Sequence, residues 1–203
     1  QDYVAIDFDL KYILVNKTSG TAWVYDYRFG ELEGQWFPWS NIYASCLLEI
    51  DGVLYFGDSR NGIIYKFKNK DSTNPYRDDT SAISSYVTTK IFDFDMATRS
   101  KFIDKIFYTL KAGNATSCKL EYRSNNDGNW QTVSTQSFKN FAYSTVEYST
   151  FTYDGNIFPI PVREDMRLRK VSHIQLRFSN NEIDENFGLM DYSFVYSAEN
   201  EYR

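Results

Sequence analysis

Ile6-Asp7-Phe8-Asp9 returns in kind as Leu48-Glu49-Ile50-Asp51, 42 residues further on, and the likeness continues along the chain. Ile13-Leu14 falls on Tyr55-Phe56, Asn16 on Asp58, Gly20 on Gly62, Trp23 on Tyr65 and Tyr25 on Phe67. Apolar, acidic, glycine and aromatic positions recur together, as they do when one supersecondary unit is used twice. A period of about 42 residues is that of a four-stranded propeller blade. Each unit is expected to run strand, tight turn, strand, Asn/Asp–Gly loop, third strand. Gln35-Trp36-Phe37-Pro38-Trp39 supplies a fourth strand to the first unit, where the second has only Asp78-Asp79-Thr80-Ser81. Two blades do not close a ring that takes roughly 4–8, so either further blades lie upstream or these strands stack onto the rest of the chain; the first is expected, with residues 1–68 the end of a longer propeller.

The rest of the chain agrees with an all-β reading. Helical periodicity is nearly absent, and short apolar runs rich in Tyr, Phe, Val and Ile are punctuated by Gly, Asn, Asp and Ser. Residues 69–84 are polar and hold Asn74-Pro75, which marks a linker. Beyond it the 42-residue period stops. Strands are expected at 85–93, 101–111, 117–123, 130–135, 145–152, 170–179 and 189–198, about the number in one β-sandwich. Ile106, Tyr108 and Leu110 alternate with Phe107 and Thr109, and Ile174, Leu176 and Phe178 with Gln175 and Arg177, as in strands with one face in a core. Asp127-Gly128 supplies a hairpin turn.

Composition removes several chemistries. The 203 residues carry 18% aromatics, 24% charged residues, one His, two Cys and a net charge of −5. That acidic balance argues against nucleic acid. No apolar run approaches the ~18 residues that cross a bilayer. With His173 alone, a Ser/His/Asp triad rests on one strand residue, and no metal-type Cys or His pair exists. Asp7-Phe-Asp9, Asp93-Phe-Asp95 and the loop Asp58–Gly62 could offer oxygens to calcium, but wet-face carboxylates and a plain loop are the simpler reading. Nothing in the spacing of the 27 acidic residues picks out a glycosidase pair. Neither a cofactor nor an enzymatic activity is expected.

Smaller features carry modest expectations. Cys46 and Cys118 are expected to be buried free thiols. The basic run from Arg163 to Lys170 encloses Glu164 and Asp165 and is expected to be a solvated loop. No leader-type segment is visible, and the chain begins at Gln1 without Met and is already strand-like at Tyr3, so it is expected to be a fragment, processed or cut from a longer chain. The sequon triplets at Asn16 and Asn114 carry no weight without a leader. Among the aromatics, Trp23 and Trp36 are expected in a core. Trp39, Tyr122 and Trp130 are the candidate ligand-stacking or interface residues.

Two resemblances add to this reading. Trp23-Val-Tyr-Asp-Tyr-Arg28 with Gln35-Trp-Phe-Pro-Trp39, and Gly52-Val-Leu-Tyr-Phe-Gly-Asp-Ser59 with Gly62-Ile-Ile-Tyr-Lys-Phe67, resemble propeller blades of phage and prophage tail- or neck-associated proteins. Leu120–Val133, with its Asp-Gly turn and Trp130, and the closing run Met190–Tyr196 are similar to galactose-binding-like jelly rolls. Together they imply partial propeller blades over 1–68, a linker over 69–84 and a jelly-roll-like β-sandwich over 85–203. The function implied is a non-enzymatic virion component, assembled in the host cytoplasm and acting through contacts with other virion proteins or copies of itself. Two alternatives stand beside it: a carbohydrate-binding module recognising a host or substrate polysaccharide, and a bacterial surface adhesion protein.

Overall fold

The structure is a computed structural model and describes residues 2–28, 30, 33–67, 76–111, 115–125, 127–139 and 159–199. The expected strand at 145–152 lies outside the described residues. The chain divides into two compact units, Gln1–Pro75 and Tyr76–Arg203. The fold is all-β. No helix occurs among the described residues, and none of the sheets there closes into a barrel or a propeller ring.

The first unit holds two antiparallel sheets. One runs β1 (Tyr3–Phe8), β2 (Lys11–Asn16), β3 (Ala22–Asp26), β4 (Gln35–Trp39) in chain order; the other runs β5 (Ala44–Ile50), β6 (Val53–Asp58), β7 (Ile64–Lys66). The 42-residue repeat is built into their registers. Ile6 pairs with Ile13 as Leu48 pairs with Tyr55, and Ile13 pairs with Val24 as Tyr55 pairs with Lys66.

The connections repeat as well. Asp9 and Leu10 turn the first hairpin at φ 48 and 56, and Asp51 and Gly52 turn the second at 51 and 72. Positive φ at both turn positions matches the twist of the flanking strands. Leu10 carries a strain there that Gly52 does not. Asn16 and Asp58 then close equivalent loops. The Gly20 and Gly62 amides donate to their carbonyls at 3.0 and 3.2 Å, and their own amides donate to Thr21 and Ile63 carbonyls, both at 2.8 Å.

Side chains alternate across each strand, so every paired row belongs to one face. On the first sheet Val4, Ile6, Phe8, Ile13, Val15, Ala22, Val24, Phe37 and Trp39 face inward. They meet Ala44, Leu47, Leu54, Phe56 and Phe67 of the second sheet and its approaches, making one core. β1 lies beside β5.

The second unit packs two antiparallel sheets over a single core, a sandwich-like arrangement. It opens with a small ladder, β8 (Arg77–Asp78) with β9 (Ser81–Ala82), which lies inside the segment read as a linker. One sheet has the order β10 (Ser85–Thr88), β15 (Ile174–Asn180), β12 (Ala115–Ser124), β13 (Gln131–Lys139). The other has β14 (Ile160–Val171), β11 (Lys101–Leu110), β16 (Leu189–Ala198). Ile106, Tyr108 and Leu110 meet Cys118, Leu120, Ile174, Leu176 and Phe178 in the core, on the parity read from the sequence. Ile103 is also buried although its parity is opposite, because a register irregularity between Ile103 and Lys105 changes the face.

Three sequence expectations need correction. The basic run Arg163–Lys170 is not a loop but the middle of β14, the longest strand described. Its apolar residues Ile160, Val162 and Met166 alternate into the core, and charges on the wet face had masked the period. Cys46 is exposed, and only Cys118 is buried. Trp23 and Trp36 are not core residues: they are 48% and 55% exposed, on the face of the first sheet opposite its core.

Candidate interaction surface

The outer face of the first sheet follows from its registers. Asp7, Tyr12, Tyr25 and Trp36 form one cross-strand row, and Ala5, Leu14, Trp23 and Pro38 the next. Tyr25 and Trp36 have ring centroids 5.0 Å apart. Aromatic rows of this kind stiffen a sheet by cross-strand contact. Tyr3, Tyr12, Trp23 and Trp36 nevertheless remain exposed. At the end of the first row, the Tyr27 hydroxyl donates to Asp7 Oδ1 at 2.6 Å.

The second sheet has an open face too. Leu48, Tyr55 and Lys66 make one row, with Ile50 and Val53 beside it, and Ile64 pairs with Gly57. Leu48 is 56% exposed and Ile64 75%. The two-sheet stack thus presents apolar side chains outward on both sides. Contiguous exposed apolar patches are uncommon on free domains and mark contact surfaces.

Acidic residues of the first unit hold loops. Asp58 is buried, accepts the Arg60 amide at 2.7 Å and pairs with its guanidinium at 2.8 Å. Those hydrogen bonds from Arg60 hold its carboxyl below the usual range. Asp26 does the same with Arg28, and Asp9 pairs with Lys11 at 2.5 Å. Asp7, Asp9 and Asp58, considered above as calcium oxygens, therefore all have protein partners. Asp93 caps the Asp95 amide at 3.1 Å. No group of three or more metal-type ligands occurs among the described residues.

Of the three candidate aromatics, Trp39 belongs to the first unit, and Tyr122 and Trp130 belong to one hairpin of the second. Trp39 packs into the core of the first unit, 5.8 Å from the Phe67 ring. Tyr122 packs against the core of the second unit and donates its hydroxyl to Gln131 Oε1 at 2.7 Å. Burial raises its phenol pKa, with Asp127 adding to the effect. The Trp130 ring is already occupied, with the Arg177 and Arg123 guanidinium carbons 4.6 and 4.9 Å from its centroid. Arg177 also pairs with Glu121 at 2.6 Å, and Lys119 with Glu121 at 2.8 Å. Burial alone would raise the Glu121 pKa, but the hydrogen bonds and charges of these two cations outweigh it and hold the carboxyl low. Trp130 thus lies over an ion network on the outer face of its sheet, and a ligand stacking on the ring would compete with Arg177 and Arg123 for it.

Other polar groups of the second unit are structural in their contacts. Lys101 is buried and donates from Nζ to the Ser172 carbonyl at 2.5 Å. Its pKa is lowered by burial, partly offset by Asp93. Ser172 Oγ lies 3.0 Å from His173 Nδ1. A shallow open groove of about 210 Å³ is lined by Tyr76, Ile83, Ser85, Lys111, Glu185 and Asn186. It is smaller than the ~300 Å³ at which ligand clefts begin.

The sequence missed Trp23 and Trp36 as surface residues. The available signal was the repeat: it maps Trp23 and Tyr25 onto Tyr65 and Phe67, and Ala22 and Val24 onto Ile64 and Lys66. Both parities are largely apolar, so the pattern does not say which side is covered within the chain. No protein-family model matches the sequence, and no curated protein does either.

Proposed function

We propose that the chain is a non-enzymatic structural module that works by packing against other proteins in an assembly. The setting proposed is the one the blade resemblance implies, the tail or neck of a phage or prophage particle. The observation that carries this reading is the pair of open apolar faces on the first unit, Trp23 and Trp36 on one side and Leu48 and Ile64 on the other. In this reading the two repeated sheets are propeller-type blades, each made to be covered on both faces. The second unit, in this reading, is a jelly-roll-like sandwich on the same chain.

Aliphatic side chains favour a protein partner over a glycan. Sugars stack on flat rings and need hydrogen-bonding groups at the rim, whereas Leu48, Ile50 and Ile64 offer neither. Immunogold labelling of purified particles with an antibody to this chain tests the reading, together with a polysaccharide panel followed by Trp emission. Label at the tail or neck and silence across the panel are expected. Unlabelled particles, or saturable binding of one glycan class that is lost in Trp23→Ala, would overturn it.

A further inference from the structure

The two sheets of the first unit are stacked front to back, and this leaves matching halves of the same interface open at its two ends. The repeat defines the faces. The inward face of the first sheet carries Ile6, Phe8, Ile13 and Ala22, and a shift of 42 places these on Leu48, Ile50, Tyr55 and Ile64. Those four lie on the open face of the second sheet. Conversely, the inward residues Leu54, Phe56 and Phe67 correspond to Tyr12, Leu14 and Tyr25 on the open face of the first sheet. Calling the face that holds Ile6 the front, the chain packs the front of its first sheet on the back of its second.

We infer that the open front of one copy packs on the open back of the next, extending the contact already made within each chain. The occupant of each face is therefore a second copy of this chain. Three observations support that choice. The two open faces are the repeat equivalents of the two faces already in contact. Both are apolar and exposed. Among the described residues, the charged side chains on them are opposite in sign, Asp7 on the back and Lys66 on the front. The equivalence departs at two front positions, Val15 to Gly57 and Val24 to Lys66, and Lys66 is the residue whose charge Asp7 complements.

A front-to-back contact is heterologous, so it closes into a ring or runs on as a filament. Blade rings close at roughly four to eight sheets, which two to four copies would supply. This inference rests on the assembly reading above and names the partner in it.

The test uses the whole chain and two kinds of variant. Trp23→Lys blocks the back, and Ile64→Lys blocks the front. Trp36→Lys and Leu48→Lys are second choices on the same faces, and all four sites are half or more exposed or close to it. Far-ultraviolet circular dichroism confirms folding. Light scattering then reads mass against concentration. Wild type is expected to associate as concentration rises, and each single variant to stay monomeric. An equimolar mixture of a back variant and a front variant is expected to form a one-to-one dimer and grow no further, since one good front and one good back remain. A wild-type chain that is monomeric at every concentration would overturn the inference while leaving particle labelling, and so the assembly reading, intact. Self-association of either variant alone would overturn the front-to-back arrangement.

Discussion

Leu48 and Leu54 are the same side chain in adjacent strands of one sheet, and they face opposite ways. Leu54 is 1% exposed and belongs to the core between the two sheets; Leu48 is 56% exposed on the open side. Leu54→Ala removes buried carbons and leaves a cavity, for a loss of about 3 kcal/mol within the usual ~2–5. Leu48→Ala loses only the partial burial of its side chain. Full burial of a leucine contributes roughly 2 kcal/mol, so less than half of that comes to under about 1 kcal/mol. At about 4–8 °C per kcal/mol for a domain of this size, the melting point should fall by ~12–24 °C for Leu54→Ala and by under ~8 °C for Leu48→Ala. Urea and thermal unfolding followed by Trp emission measure this. Three of the four tryptophans, Trp23, Trp36 and Trp39, lie in the first unit, so the signal reports on it. Dilute protein keeps self-association out of the reading. Equal losses for the two variants, or a larger one for Leu48→Ala, would refute the assignment of faces and with it the register.

Three further outcomes follow from the second unit and the thiols. Burial pushes the Cys118 thiol up to about 12, so near ~pH 8 a disulfide reagent should titrate Cys46 alone, with Cys118 reacting only after denaturation; two equally fast thiols would contradict this. The Tyr108 hydroxyl is buried and makes no well-formed hydrogen bond among the described residues; its polar neighbour Ser134 donates its own proton to Glu164 at 2.7 Å. Tyr108→Phe should therefore raise the stability of the second unit by about 1 kcal/mol in urea, and a loss would show that the hydroxyl is satisfied. Glu121 has its pKa lowered in the folded state. Its contribution is full above the unfolded value of ~4.3 and is lost as pH falls through the lower folded value. Glu121→Gln should flatten the acid limb of stability below ~pH 4.3, and an unchanged limb would remove Glu121 from the acid response.

Much of this fold is legible in the sequence, and the reasons for the rest are physical. The repeat was readable because both hairpins need positive φ at the same positions, 9–10 and 51–52, and both loops need glycine, at 20 and 62. Strands β11 and β15 were readable because core residues alternate with outward-facing ones over Ile106–Leu110 and Ile174–Phe178. β14 was hidden by the number of its charges: Arg163, Asp165, Arg167 and Arg169 crowd the face opposite Val162 and Met166. In the first sheet the alternation exists but both parities are apolar, so Trp23 could not be assigned to a face until Val24 was seen in the core. The candidate site suffered from the same ambiguity. Trp130 was singled out as a flat ring beside a turn, but Arg123 and Arg177, far apart in sequence, reach the ring only through the pairing of β12 with β15.

Hydroxyl-radical footprinting of the whole chain, dilute and concentrated, reads the two faces residue by residue. The account predicts oxidation at Trp23, Trp36, Leu48 and Ile64 in dilute protein, with all four losing label together on concentration, while Ile13, Val24 and Leu54 stay protected throughout. Labelling of the inner residues, or outer labelling that does not change with concentration, would contradict it.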